Sequence, residues 1–509
     1  MNIAVIYSRA LAGINSPLVT VEVHLTRGIP SLSIVGLPET AVKESKDRVR
    51  SAIINNHFEF PLRRITINLA PADLPKEGSR FDLAIAMGIL AASGQVPTER
   101  LSQYEFLGEL ALTGELRPVK GALPVSMGCR DAGRTLVLPR ACVNEAQLVD
   151  DCKLVPAVHL IEVCTHITNG ITELCDDRPP VRKIPDMDPD LPDISDVKGQ
   201  AHGKRTLEIA AAGGHNMIMI GPPGSGKTML AERLPGIMPP MTESQALETA
   251  SIASIGHNGF DLNCWRKRPF RNPHHTASAV SLVGGGSHPR PGEISLAHNG
   301  ILFLDELPEF NRKVLEVLRE PMESGYIVIS RAAHQVVFPA SFQLMAAMNP
   351  CPCGYLGDIN GRCHCTDEQV RRYRHRISGP LLDRIDLHVH IPNIARESLL
   401  QLDSPATENS AQVRKRVEKA FNKQILRAGK TNNRLTGTET DRFCKLNDTE
   451  RELLESAIRH FDLSARALNR VLKVSRTIAD LAGSENIESI HIGETLSLRC
   501  LDRQTPNVN

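Results

Sequence analysis

Polar and apolar positions alternate along VTVEVHL (19–25) and ITINLA (65–70), the two-residue period of strands with one face buried. FDLAIAMGILAASG (81–94) is apolar on nearly every side and predicts a buried helix. Further along, NMIMI (216–220), ILFL (301–304) and QLMAAMN (343–349) contain continuous apolar runs, which suit parallel strands covered on both faces. YIVIS (326–330) and QVVF (335–338) predict a hairpin with its tip near Arg331 to His334. From about residue 395 the apolar positions take helical spacing among charges, as in AQVRKRVEKAFNKQILR and DTERELLESAIRHF. Between the two α/β regions, DDRPPVRKIPDMDPDLPDISD (176–196) is rich in Pro and Asp, lacks periodicity and reads as a linker. No internal repeat and no long low-complexity tract interrupts this pattern.

Composition narrows the class. The 509 residues exceed what one hydrophobic core serves, so several domains are expected. No apolar run reaches the roughly 18–20 residues a membrane span needs. The first residues, MNIAVIYSRAL, do not resemble a secretory signal. With a net charge of +1, any basic surface must be local. The 12 cysteines suit a reduced, cytoplasmic chain better than a secreted disulfide scaffold.

GPPGSGKT (221–228) satisfies the phosphate-loop pattern in full and stands between an apolar strand and a helix. Gly221, Pro222, Pro223, Gly224, Ser225 and Gly226 would wrap phosphates with backbone N–H groups, at the positive end of the following helix. Lys227 would reach the β/γ-phosphates of ATP and Thr228 would ligate Mg²⁺. ILFLDE then delivers Asp305 to the Mg²⁺ shell and Glu306 to the attacking water. Asn349 ends another apolar run and is a second candidate for holding that water. Arg384, in GPLLDRIDLHV, has two readings: a functional cation, or a surface ion pair with Asp383 or Asp386.

Cys351, Cys353, Cys363 and Cys365 form two C-x-C pairs separated by nine residues that include three glycines. Such pairs can bring four thiolates into the tetrahedron of a structural Zn²⁺. His364 or His375 could replace one thiolate, and free thiols or two disulfides are the competing readings.

These motifs together resemble the magnesium-chelatase-like AAA+ family, in particular its ComM (YifB) branch. The segments that carry the resemblance are GLPETAVKESKDRVRSAI, NLAPADLPKEGSRFDL, GPPGSGKT, RPFRNPHHT, PGEISLAHNGILFLDELPEF, AAMNPCPCGYLGD, RISGPLLDRIDLHV and LSARALNRVLKVSRTIADL, spread over essentially the whole chain. The resemblance implies an α/β fold with a Lon-protease-like domain over 1–175, a linker over 176–196, an AAA+ P-loop core with a parallel sheet over 197–395 and a helical lid over 396–509. It casts Asn349 as sensor 1, Arg384 as an arginine finger acting on a neighbouring subunit and Arg466 as the sensor 2 arginine. A trans-acting finger implies a ring, usually a homo-hexamer. The family's activity would be ATP-driven branch migration of DNA during natural transformation, with recombination proteins as further partners.

The Lon-like segments depart from Lon at its chemistry. TGELRPVKGALP reads Ala122-Leu123-Pro124 where Lon carries its lysine, and Lon's serine position falls at or beside Arg80, one residue from Ser79. A Ser–Lys dyad needs both members, so a non-proteolytic domain is expected. RKRPFRNPHHTAS (266–278) has two readings: a solvated loop with no partner, or a phosphate-contacting loop on a ring's inner wall that meets DNA through Arg268, Arg271, His274 and His275. The hairpin with Arg331 and His334 is the other expected site, since related hexameric helicases point one into the pore. With few aromatics, backbone electrostatics would dominate over base stacking. The rival classes are a chelatase-type remodeller and an ATP-dependent protease.

Overall fold

The computed structural model describes residues 3–36, 40–74, 76, 78–169, 191–256, 259–286, 289–330, 335–357, 361–393, 408–461, 464–499 and 501. The first region is a mixed sheet of seven strands. These are β1 (Ile3–Arg9), β2 (Leu18–Thr26), β3 (Ser31–Val35), β4 (Arg64–Ala70), β5 (Tyr104–Phe106), β6 (Thr135–Pro139) and β7 (Lys153–Ala157), in the order β3-β4-β2-β1-β5-β6-β7. Alternation in β2 and β4 places Val19, Val21, Val23, Ile65, Ile67 and Leu69 in the core. Helix α1 (Asp82–Ala92), apolar throughout after its first residue, is buried along its whole length against β1 and β2. Gly88 allows that approach, since a Cβ there would lie 2.5 Å from Val23 Cγ2.

The second region is a five-stranded parallel sheet. Its strands are β8 (Met217–Ile220), β9 (Phe270–Arg271), β10 (Ile301–Leu304), β11 (Gln343–Met348) and β12 (Leu387–His390), in the order β9-β10-β11-β8-β12. Every residue of β8, β10 and β11 is buried, as both-sided cover of a parallel sheet requires. One face packs on α2 (Ala201–Gly213), α3 (Lys227–Ile237) and α4 (Ser410–Ala428). The predicted hairpin is present, its two strands Tyr326–Ser330 and Gln335–Pro339 paired antiparallel; its tip, with Arg331 and His334, lies outside the described residues. The charged C-terminal region is helical: α4 is followed by α5 (Gly437–Phe443), α6 (Asp448–Phe461), α7 (Ala465–Ala482) and α8 (Ser489–Ser497).

Of the stretch expected as a linker, residues 176–190 lie outside the described residues. Residues 191–196 are packed: Ile194 is buried, and the Asp193 carboxylate accepts from the Ser410 amide at 3.0 Å at the start of α4. The two sheets' regions also share a buried seam. The helices Ala122–Asp131 and Glu243–Ile255 pack together, with Leu123, Leu247 and Ala250 in one apolar cluster. Lys120 Nζ donates to the Gly256 carbonyl at 3.1 Å. The Glu145 carboxylate accepts from the Leu123 amide at 2.9 Å and from the Ser254 hydroxyl. Among the described residues no helix is long and apolar enough to cross a membrane.

Candidate functional site

The strand order sets the site. β11 lies between β8 and β10, so the loops leaving all three C-terminal ends converge. The loop after β8 carries Gly221 to Gly226, the end of β10 carries Asp305 and Glu306, and the end of β11 carries Asn349. Gly221 is required by close packing: a Cβ would lie 2.2 Å from the Ile391 carbonyl oxygen. Gly224 (φ +77°) and Gly226 (φ +88°) adopt left-handed backbone, with nothing within 4 Å of where a Cβ would project. The loop therefore lines an open cradle and α3 begins at Lys227, its N–H groups facing that space.

Lys227 is largely buried and its Nζ donates to the carbonyls of Gly221 at 2.7 Å and Pro222 at 3.0 Å, and to Asn349 Oδ1 at 3.3 Å. Burial lowers its pKa, and Asp305 and Glu306 oppose that shift. Thr228 Oγ1 donates to Asp305 Oδ2 at 2.9 Å, while Asp305 Oδ1 accepts from the Glu306 amide at 2.9 Å. Glu306 itself is held at φ +51°, a left-handed conformation uncommon for this residue type, which turns its side chain out of the strand's line. Ser225 Oγ is buried with no hydrogen-bond partner among the described residues. An unpartnered hydroxyl, an open glycine cradle and a lysine resting on carbonyls fit a polyphosphate; the Thr228–Asp305 pair fits the shell of a divalent cation.

His275 comes to the same place. Its Nδ1 lies 3.4 Å from Glu306 Oε2, and its ring sits between His274, at 4.1 Å between centroids, and Phe310, at 6.5 Å. His274 is exposed, but His275 faces the carboxylate. Arg268 donates to the carbonyls of Pro239 at 2.8 Å and Asn299 at 2.6 Å, and burial lowers its pKa to about 10. Arg271 makes a two-pronged pair with Glu293 at 2.6 and 2.8 Å. The Arg268 guanidinium is thus held inside the fold, whereas Arg271, paired with Glu293, keeps 40% of its side chain exposed. A run of basic letters carries no sign of such internal partners.

Arg384 is not paired with Asp383 or Asp386. Its side chain is only 10% exposed, Nη1 donates to the Pro380 carbonyl at 2.6 Å and Nη2 pairs with Glu323. Asp386 instead bonds His215 and Arg470, each at 3.3 Å. His215 and the Arg470 partner hold that carboxylate at about 2 despite its complete burial. Arg466 is exposed near the start of α7.

The four cysteines do converge: their sulfurs all lie within 4.8 Å of one another. Cys351 Sγ is 3.3 Å from Cys353 Sγ and 3.8 Å from Cys363 Sγ, and Cys353 Sγ is 3.6 Å from Cys363 Sγ. Thiolates about 2.3 Å from a tetrahedral zinc stand about 3.8 Å apart, so the donor set fits Zn²⁺. Neither His364 nor His375 belongs to this cluster. The Tyr355 amide and the neighbouring thiols hold the Cys353 thiol down at about 6. The loop also touches the cradle: Gly354, at φ +83°, sits where a Cβ would lie 2.7 Å from Pro223 Cδ. Nothing in the linear spacing of CPCGY signals that contact. Tyr373, buried behind Asn349 with its pKa raised to about 12 by burial, is likewise absent from the sequence reading.

In the Lon-like segments Arg80 Nη2 donates to the Lys120 carbonyl at 3.2 Å, so the two segments are brought together. Ser79 Oγ donates to the Glu109 carboxylate, and the buried Pro124 offers no amine.

An ATP-type site on a parallel five-stranded sheet, with a helical region behind it, defines a P-loop AAA+ protein. Comparisons with known proteins narrow the class. The family described as "Magnesium chelatase, subunit ChlI" matches residues 193–399, "Subunit ChlI of Mg-chelatase" matches 21–142 and "Magnesium chelatase, subunit ChlI C-terminal" matches 407–499. The chain is 50% identical over 505 residues to the "Competence protein ComM" of Haemophilus influenzae, covering 99% of this chain and 98% of that one. It is 49% identical over 504 residues to the "Uncharacterized protein YifB" of Escherichia coli, with the same coverage, 99% and 98%. A weaker likeness, 25% over 192 residues, joins it to Lon protease 2 of Bacillus subtilis and covers 33% of this chain and 35% of that one. The chain belongs to the ComM/YifB family of magnesium-chelatase-like AAA+ proteins.

Proposed function

We propose that this chain is an ATPase subunit of a homo-hexameric ring that moves DNA and drives branch migration during natural transformation. The observation that carries the ATPase reading is the convergence of Lys227, Asn349, Thr228 and Asp305 beneath an open glycine cradle. Lys227 leaves its resting carbonyls for the β/γ-phosphates, and Thr228 and Asp305 hold Mg²⁺, which when bound neutralises phosphate charge. Glu306 takes the proton of the attacking water, Asn349 orients it and His275 limits the carboxylate's orientation. Arg384 of one subunit and Arg466 of the lid stabilise the charge that develops on the transferred group. Zinc held by Cys351, Cys353, Cys363 and Cys365 has a structural role, because four protein ligands leave no open position.

The DNA reading is supported by the name of the Haemophilus influenzae relative, a competence protein. Exposed His274 and the hairpin carrying Arg331 and His334 are its contacts, in a reduced cytoplasmic setting. Residues 1–175, 197–395 and 396–509 act as scaffold, motor and lid, joined through 176–196. With Ser79 engaged and Pro124 in place, the first is non-proteolytic. The chelatase family descriptions favour a second reading, a remodeller of a protein or metal-loading partner. Steady-state ATPase rates with and without single-stranded and branched DNA separate the two. Stimulation by DNA supports the motor; an unchanged rate at saturating DNA rejects it.

A further inference from the structure

Arg384 is in the wrong place for a finger at rest. A guanidinium that serves another subunit's phosphate must be exposed and electrostatically free. Here the side chain is 10% exposed and paired with Glu323, and its Nε is buried without a hydrogen-bond partner. A carboxylate on the finger competes directly for the charge the phosphate needs.

Glu323 belongs to the short helix Arg319–Ser324, which ends at Gly325 in left-handed backbone at φ +76°. The hairpin begins at once. Ser324 Oγ accepts from the Tyr326 amide at 3.3 Å and donates to the Tyr326 carbonyl at 2.9 Å. The Ala340 amide, just past the second strand, donates to the Gly325 carbonyl at 2.7 Å. Both legs of the hairpin are therefore tied to the helix end that carries Glu323. Ile327, Ile329 and Phe338 are buried in the same apolar cluster as Leu381 and Ile385, on either side of Arg384. A displacement of the hairpin base passes to Glu323 with little slack.

We propose that Glu323 is a positioning residue that masks Arg384 in cis, and that a strand of DNA engaging the hairpin withdraws it, freeing the finger for the neighbouring subunit. The proposal rests on the readings of Arg384 as a trans-acting finger and of the hairpin as a DNA contact, and its test separates the mask from each.

The experiment measures ATPase rates of the assembled full chain, without DNA and with saturating oligothymidine, for wild type, Glu323→Gln, Arg384→Ala and the double variant. Glu323 is 63% exposed on its side chain, so the amide should be tolerated; a thermal melt checks this. Glu323→Gln should raise the DNA-free rate about fivefold, the lower end of ordinary couplings between sites. Its DNA-saturated rate should match wild type, so the stimulation ratio contracts. The double variant should be as slow as Arg384→Ala, because unmasking is useless without the finger. A DNA-free rate for Glu323→Gln at or below wild type overturns the mask while an impaired Arg384→Ala leaves the finger standing. Equal stimulation ratios in wild type and Glu323→Gln overturn the link to the hairpin. A fully active Arg384→Ala removes the finger reading, and the mask with it.

Discussion

Replacing Gly354 with alanine tests whether the cysteine loop supports the nucleotide cradle. Gly354 sits at φ +83°, where a Cβ would lie 2.7 Å from Pro223 Cδ and 2.8 Å from Pro223 Cγ. Left-handed backbone costs a non-glycine residue about 1–2 kcal/mol. Forcing a methyl against a ring that cannot rotate away adds about 1–3 kcal/mol, relieved only if the loop or Pro223 moves. If half of the steric part is relieved by shifting Pro223, ATP affinity falls by a factor of roughly 2–12, at about 1.4 kcal/mol per tenfold. Gly357 supplies the control: at φ +82° it has the same backbone conformation, with nothing within 4 Å of a Cβ. Gly357→Ala should lose stability through strain alone and bind ATP normally. Titration with a fluorescent ATP analogue, alongside thermal melts and zinc content, makes the comparison. Equal ATP affinities for the two variants, with both retaining zinc, would refute the idea that this contact shapes the cradle.

Lys227→Ala should weaken ATP binding, whereas Glu306→Gln should bind ATP normally and lose about 10²-fold or more in turnover, since the carboxylate acts on water only in the transition state; wild-type turnover by Glu306→Gln would sink the assignment. Cys351→Ser with Cys363→Ser should release about one zinc per chain and lower ATP hydrolysis through Asn349 and the Gly354–Pro223 contact, and elemental analysis finding no zinc in the wild-type protein would end that reading. Folding stability should fall as pH drops below the ordinary histidine range. Burial, then the nearby Arg499 charge, lowers His388 from 6.5 to about 3. The unfolded chain therefore takes up the proton first, and this contribution, complete above pH 6.5, is lost progressively toward pH 3. It amounts to about 2 kcal/mol by pH 5. Urea melts of wild type and His388→Gln between pH 7 and 5 read it, and parallel acid limbs would contradict it.

Much of the local structure was legible in the letters. Alternation in VTVEVHL and ITINLA, and the unbroken runs MIMI, ILFL and QLMAAM, follow from how many faces of a strand are covered. GPPGSGKT and LDE carry their geometry with them, because a phosphate loop and a strand-end carboxylate are built from residues adjacent in sequence. The C-x-C pairs likewise predicted a cluster that does form. Ion pairing and packing between distant segments were not legible. Arg384 meets Glu323 rather than its neighbours, Arg271 meets Glu293, Arg268 is capped by two carbonyls, His275 turns to Glu306 and Gly354 meets Pro223. A charged side chain reaches only several ångströms, so which partner it finds depends on which strands the sheet sets side by side. Sequence decides which residues carry the chemistry; the strand order decides which of them meet.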